Sequence, residues 1–128
     1  MPISYTIDRT AGIIEETWAG TVSANVLARY WKQYMADPEV LRIRRTLVDL
    51  RQCHITFSGA ELSELLNTIV VPKLDGRDWT SAILVADPVQ FGISRQYNVY
   101  ADRFSNDQTF HDRDAALKWL ASGFADSK

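Results

Sequence analysis

The chain has one cysteine, two histidines and two methionines among its 128 residues, and each scarcity excludes something. A lone Cys53 cannot close an intramolecular disulfide and suits a reducing, cytoplasmic setting. His54 and His111 have no Cys, His or Glu at ligand spacing around them, so no metal site is expected. No apolar run exceeds about five residues (Ala82–Ala86 is typical), far below the roughly 20 needed to cross a bilayer. No signal peptide is visible at Met-Pro-Ile-Ser-Tyr. A clear basic excess is missing too, since the net charge is −2, and this argues against a nucleic-acid partner. Glycine-rich phosphate loops, dinucleotide fingerprints and G-x-S-x-G elbows are absent, and no cofactor is expected.

What remains is ordinary for one globular domain: 46% hydrophobic and 23% charged residues. The most informative stretch is Arg45 to Val71. Thr46–Leu50 reads as a buried strand, and Leu62, Leu65, Leu66, Ile69 and Val70 form the inward stripe of a helix. Upstream, Ser4–Asp8 and Ile13–Trp18 read as a hairpin turned at Arg9–Gly12, with Gly20 ending the second strand. Ser23 would cap a helix carrying Leu27, Tyr30, Trp31 and Tyr34, which stops at Asp37-Pro38. Downstream, Asp75-Gly76 signals a turn and Thr80–Val85 another buried strand. Asp87-Pro88 opens a helix to about Ala101, Gln108–Phe110 is a final strand, and Asp112 caps a last helix ended by Gly123.

The order ββαβαβαβα predicts a one-domain α/β protein. Its five-stranded sheet would be mostly parallel, with an N-terminal antiparallel hairpin and about four helices.

The element order, the Ser58-Gly59 turn, and two later signatures resemble the SpoIIAA-like superfamily. Those signatures are Phe91-Gly92-x-x-Arg95-x-Tyr97 and Phe110-x-Asp112-x-x-x-Ala116-Leu117-x-Trp119-Leu120. They look like a small, stand-alone bacterial branch of unassigned function. The superfamily shares its fold with STAS domains of anti-sigma-factor antagonists and, more distantly, with lipid-carrying CRAL-TRIO (SEC14-like) domains. The resemblance implies a non-enzymatic regulatory or protein-interaction module, with a protein partner. The alternative it implies is a carrier or sensor of a small apolar or acidic ligand. In such antagonists a serine at the start of this helix is phosphorylated, and Ser58 followed by Gly59 matches it. The acidic residue that usually precedes that serine is replaced here by Thr56-Phe57.

Ser58 has a plain structural reading as well. Ser58-x-x-Glu61 is a capping box, and Phe57 and Leu62 sit where a hydrophobic staple forms. Cap only, phosphoacceptor and anion site at Ser58 and Gly59 are therefore the competing expectations. Asp49, Arg51, Ser58, Asp87 and Arg95 all follow strand ends, where open α/β sheets bind ligands or partners. Arg95 would otherwise pair with an acidic neighbour. Arg42, Arg44, Arg45 and Arg51 form a local basic cluster, either a solvated strand approach or an anion patch. Tyr30, Trp31 and Tyr34 are core, or an exposed contact patch for a homodimer or an apolar ligand. Cys53 and His54 would point to opposite faces of a strand and so form no nucleophile–base pair. No catalytic residue is expected.

Overall fold

In the computed structural model, residues 2–74, 76 and 78–126 are described, the last four by their backbone alone. The hairpin forms as β1 (Ile3–Asp8) and β2 (Ile13–Val22), paired antiparallel through a turn in which Gly12 takes φ +69°. That left-handed φ is the conformation glycine adopts without penalty. Then follow α1 (Ala24–Tyr34), α2 (Pro38–Ile43), β3 (Arg45–Ile55), α3 (Gly59–Leu65), β4 (Trp79–Leu84), α4 (Pro88–Ala101), β5 (Ser105–Phe110) and α5 (Arg113–Asp126). The strands lie in sequence order across one sheet, and every pair after the hairpin is parallel. This is the expected mixed α/β architecture.

Several boundaries differ from expectation: β3 runs on past Leu50 to Ile55 and β5 begins at Ser105 rather than Gln108, and three further differences bear on the helices and β2. Asp37-Pro38 stops α1 but also starts α2, because Asp37 accepts from the Glu39 N–H and proline occupies the first turn. The described residues therefore hold five helices rather than about four. Gly20, with φ +71°, does not end β2, which runs on to Val22 after a register shift between Thr17 and Ala19. Gly123 does not end α5, whose backbone stays helical to Asp126. Of the Asp75-Gly76 turn, Asp75 lies outside the described residues.

The sheet has two unequal faces. The larger core lies under α1, α3 and α4, and gathers Ile14, Trp18, Leu27, Tyr30, Trp31, Tyr34, Leu50, Phe57, Leu62 and Leu66. The smaller one lies under α5, with Ile13, Leu47, Ala82, Leu84, Ala116 and Leu120. Alternation along the strands assigns residues to one face or the other. On β2 the larger face receives Ile14, Glu16 and Trp18 in succession.

After Leu65 the helix does not continue as α. Leu66–Val70 forms a π turn and Val71–Lys73 a 3-10 turn, ahead of the turn region. Pro72 sits in the first turn of that 3-10 segment and Val71 before it keeps right-handed helical angles, so regular α-helix ends ahead of the proline rather than at it.

Candidate functional site

Because β2 to β5 run parallel, the N-caps that follow them share one rim: Ser23, Ser58, Asp87 and Asp112. The starts of α3 and α4 are adjacent there. A Cβ on Gly59 would stand 2.7 Å from the Gln96 side-chain oxygen of α4, so glycine allows that close approach. Gln90 of α4 reaches across to donate to the Cys53 carbonyl at 3.0 Å.

The residues picked from the sequence do not gather into one cleft on this rim. Ser58 caps α3: its hydroxyl accepts from the Glu61 N–H at 3.1 Å, and the Glu61 carboxylate accepts from the Ser58 N–H at 2.8 Å. Phe57 and Leu62 are both buried beside it. Asp87 caps α4 through the Gln90 N–H at 2.8 Å. Asp49 and Arg51 lie on the other face of the sheet, joined through two side-chain bonds of 3.0 Å. There they feel Arg113 and Asp112 at the start of α5. Burial alone would raise the Asp49 carboxyl, but the bonds from Arg51 outweigh it and the net shift is downward. Arg95 turns to the far flank of α4, where its guanidinium lies 5.8 Å from the Phe91 ring rather than against an acidic neighbour.

Of the arginine cluster, Arg42, Arg44 and Arg45 line one surface groove, where Asp78 and Asp102 also stand, and only Arg51 lies apart. Arg42 pairs with Glu39 at 3.5 Å, Arg44 is buried over Trp79, and Arg51 is held by Asp49. Cys53 is buried and its thiol is pushed up to about 11, first by burial and then by Asp87 and Asp49, while His54 is exposed. That thiol is no ready nucleophile.

Tyr30, Trp31 and Tyr34 are 4%, 7% and 4% exposed, so they are core and not an exposed contact patch. The helical spacing of Leu27, Tyr30, Trp31 and Tyr34 turns all four toward the sheet. Trp31 and Tyr34 instead wall an internal cavity of about 70 Å³ between the sheet and α1, α3 and α4. Trp18, Trp79, Phe57, Tyr97 and Phe104 contribute further rings to it, and Leu50, Leu62, Val70, Ile83 and Ile93 contribute aliphatic wall.

One ionisable carboxyl faces this space. Glu16 is only 4% exposed, and its two oxygens accept from Trp18 Nε1 at 2.6 Å and from the Tyr30 hydroxyl at 2.9 Å. Burial pushes the carboxyl up to about 7, against the pull of those donors and of Tyr34. Among the described residues, no lysine, arginine or histidine lines the cavity. Tyr34 shares its hydroxyl with Thr46 at 3.1 Å, and Thr46 also receives Trp79 Nε1 at 3.2 Å.

A second carboxyl faces the same side of the sheet from β5. Thr46, Ser81 and Asp107 lie side by side across β3, β4 and β5. Asp107 accepts from Ser105 at 2.6 Å, and burial raises it to about 7. Tyr97 interacts with both Ser81 and Ser105, and so stands between the two carboxyls.

Neither Glu16 nor Asp107 is a motif residue, and their spacing signals no chemistry. The available signal is alternation: Glu16 sits between inward Ile14 and inward Trp18, where an apolar residue is expected.

No protein-family model matches the sequence, and no curated protein matches it. Among solved structures, the chain is similar to an uncharacterized protein of the DUF3478 family with a SpoIIAA-like fold, from Shewanella loihica PV-4. The two share 18% identity over 92% of this chain and 93% of that one, with a TM-score of 0.58. At that identity the likeness shows the fold alone, and the fold is SpoIIAA-like.

Proposed function

We propose that this protein is a non-enzymatic binding module, a carrier or sensor that takes a small, largely apolar ligand into its internal cavity. The observation that carries the reading is the cavity itself: aromatic and aliphatic walls with a few polar groups at fixed positions. That is the usual make-up of a small-molecule site. A fold by itself implies no function, so the argument stands on this site.

Size limits the ligand. About 70 Å³ is roughly half the volume of an engineered apolar cavity of about 150 Å³ that accepts benzene. By that measure about three non-hydrogen atoms fit the cavity as it stands, a branched four-carbon ligand needs its walls to yield slightly, and a lipid tail does not fit. Leu62 of α3 and Val70 of the π turn form one wall, and that stretch is where regular α-helix gives way. Short π segments are rare and are frequently found at functional positions in helices. The same stretch is our choice for the way in.

The lining supports binding over catalysis. Among the described residues, Thr46, Ser81 and Ser94 are its hydroxyls besides the tyrosines, and no histidine or cysteine lines it as base or nucleophile.

Thermal-shift and ligand-observed NMR titrations with isobutanol, isobutylamine and isobutyrate test the reading. At least one should bind the wild-type protein, and Val70→Phe, which fills the cavity, should abolish that binding while the protein stays folded. Absence of binding by all three at tens of millimolar, or binding unchanged in Val70→Phe, overturns it.

A further inference from the structure

Among the described residues, the cavity walls carry one group able to bear charge at neutral pH, the Glu16 carboxyl, and no basic side chain. Its two oxygens each take one neutral donor, Trp18 and Tyr30, which leaves acceptor capacity on a carboxylate. Around it stand Trp18, Trp31, Tyr34 and Trp79, whose rings have electron-rich faces. An anionic ligand would meet a like charge in a poorly screened interior, and a purely apolar one would leave the carboxyl without use. Aromatic walls with a single carboxylate are the chemistry that recognises an organic ammonium ion.

From this arrangement we infer that the ligand is a small organic cation, an amine on a short aliphatic group, whose ammonium sits against Glu16. The inference rests on the binding reading above and names its ligand class. Burial without a counter-charge already holds Glu16 near 7, and a bound cation would supply that charge and release the proton.

The other groups facing Glu16 do not compete for this role. Tyr5 on β1, Tyr30 and Tyr34 on α1 and Tyr97 on α4 are all raised and stay neutral below pH 9. Leu62, Leu66 and Val70 are the contribution of α3 and its π turn. Asp107 on β5 titrates near Glu16 but acts on Tyr97, so a Glu16 variant separates the two.

The probes are isobutylammonium, isobutanol and isobutyrate, which share a carbon skeleton and differ in charge. At pH 8 isobutylammonium should bind the wild-type protein at least about tenfold tighter than isobutanol, and isobutyrate weakest. Glu16→Gln should erase the ammonium preference, so that isobutylammonium binds no tighter than isobutanol. In the wild-type protein, ammonium affinity should rise at least about threefold from pH 5.5 to 8 while isobutanol affinity stays flat. This second measurement decides the matter where Glu16→Gln folds poorly. Equal binding of the ammonium and the alcohol, tightest binding of isobutyrate, or a flat pH profile overturns the cation while leaving the cavity as a site. Failure of all three probes removes the binding reading itself, and the cation with it.

Discussion

The indole N–H of Trp18 donates to the carboxyl of Glu16 at 2.6 Å, from two positions further along the same strand. Both side chains therefore share the inward face of β2, and a potentially charged group enters the larger core beside a tryptophan. A carboxylate so placed loses hydration that neutral donors only partly replace.

The sign of the resulting pH dependence follows. Glu16 has its folded value raised from 4.5 to about 7, so between these the native state holds more proton than the unfolded chain. Stability therefore falls as pH rises through this window, and levels off above about 7. The displacement is worth about 3 kcal/mol. Asp107, raised from 3.8 to about 7 by burial, adds a term of the same sign and comparable size. Urea denaturation from pH 5 to 8 should show wild-type stability declining, and Glu16→Gln should remove about half of that slope, leaving the share of Asp107. A wild-type profile that rises with pH would contradict the placement of Glu16.

Much of this architecture is legible in the residues. Thr46–Leu50 and Thr80–Val85 are read as buried strands because both their faces are covered, which leaves apolar residues at nearly every position. Asp87-Pro88 is read as a helix start, yet the same pair at Asp37-Pro38 is read only as a stop. The difference is length, since a six-residue helix such as α2 leaves little periodicity to detect. The cavity is another matter. Its lining comes from β2, α1, β3, α3, β4 and α4, and no local pattern reports where six elements fail to fill the space between them. Ser58 illustrates the converse: its capping box is fully encoded within four residues and forms as written.

That box gives a second test. Ser58→Ala should cost about 1 kcal/mol, because it leaves the Glu61 N–H without its acceptor. Ser58→Asp should be close to neutral, since aspartate caps as well as serine. Chemical denaturation measures both. A large loss in Ser58→Asp would mean that Glu61, whose carboxylate accepts from the Ser58 N–H, repels the new charge more than the cap offsets.

Gly59 gives a third, with an outcome milder than its 2.7 Å contact suggests. The atoms an added methyl would meet are the carbonyl carbon, oxygen and nitrogen at the end of Gln96, an exposed and flexible side chain. Gly59→Ala should therefore stay within about 0.5 kcal/mol of wild type, with Gln96 swinging away. A loss above about 2 kcal/mol, relieved in Gly59→Ala/Gln96→Ala, would show that Gln96 is pinned between α3 and α4.

The two faces should respond differently to truncation, and α5 is where the contrast is sharpest. Leu120 is 1% exposed and belongs to a core cluster with six buried residues among those described, packed where α5 crosses β3, β4 and β5. With so few neighbours to redistribute, Leu120→Ala should cost about 3 kcal/mol and loosen α5. Ile93→Ala, on the opposite face, removes atoms from the edge of an existing cavity where contacts are already incomplete. It should cost closer to 2 kcal/mol and enlarge the cavity, admitting bulkier alcohols than wild type takes. Hydrogen exchange should then report early opening of α5 in Leu120→Ala, and unchanged α5 protection in Ile93→Ala. Equal loss of α5 protection in both variants would mean that the sheet transmits damage between its faces and that the two cores behave as one.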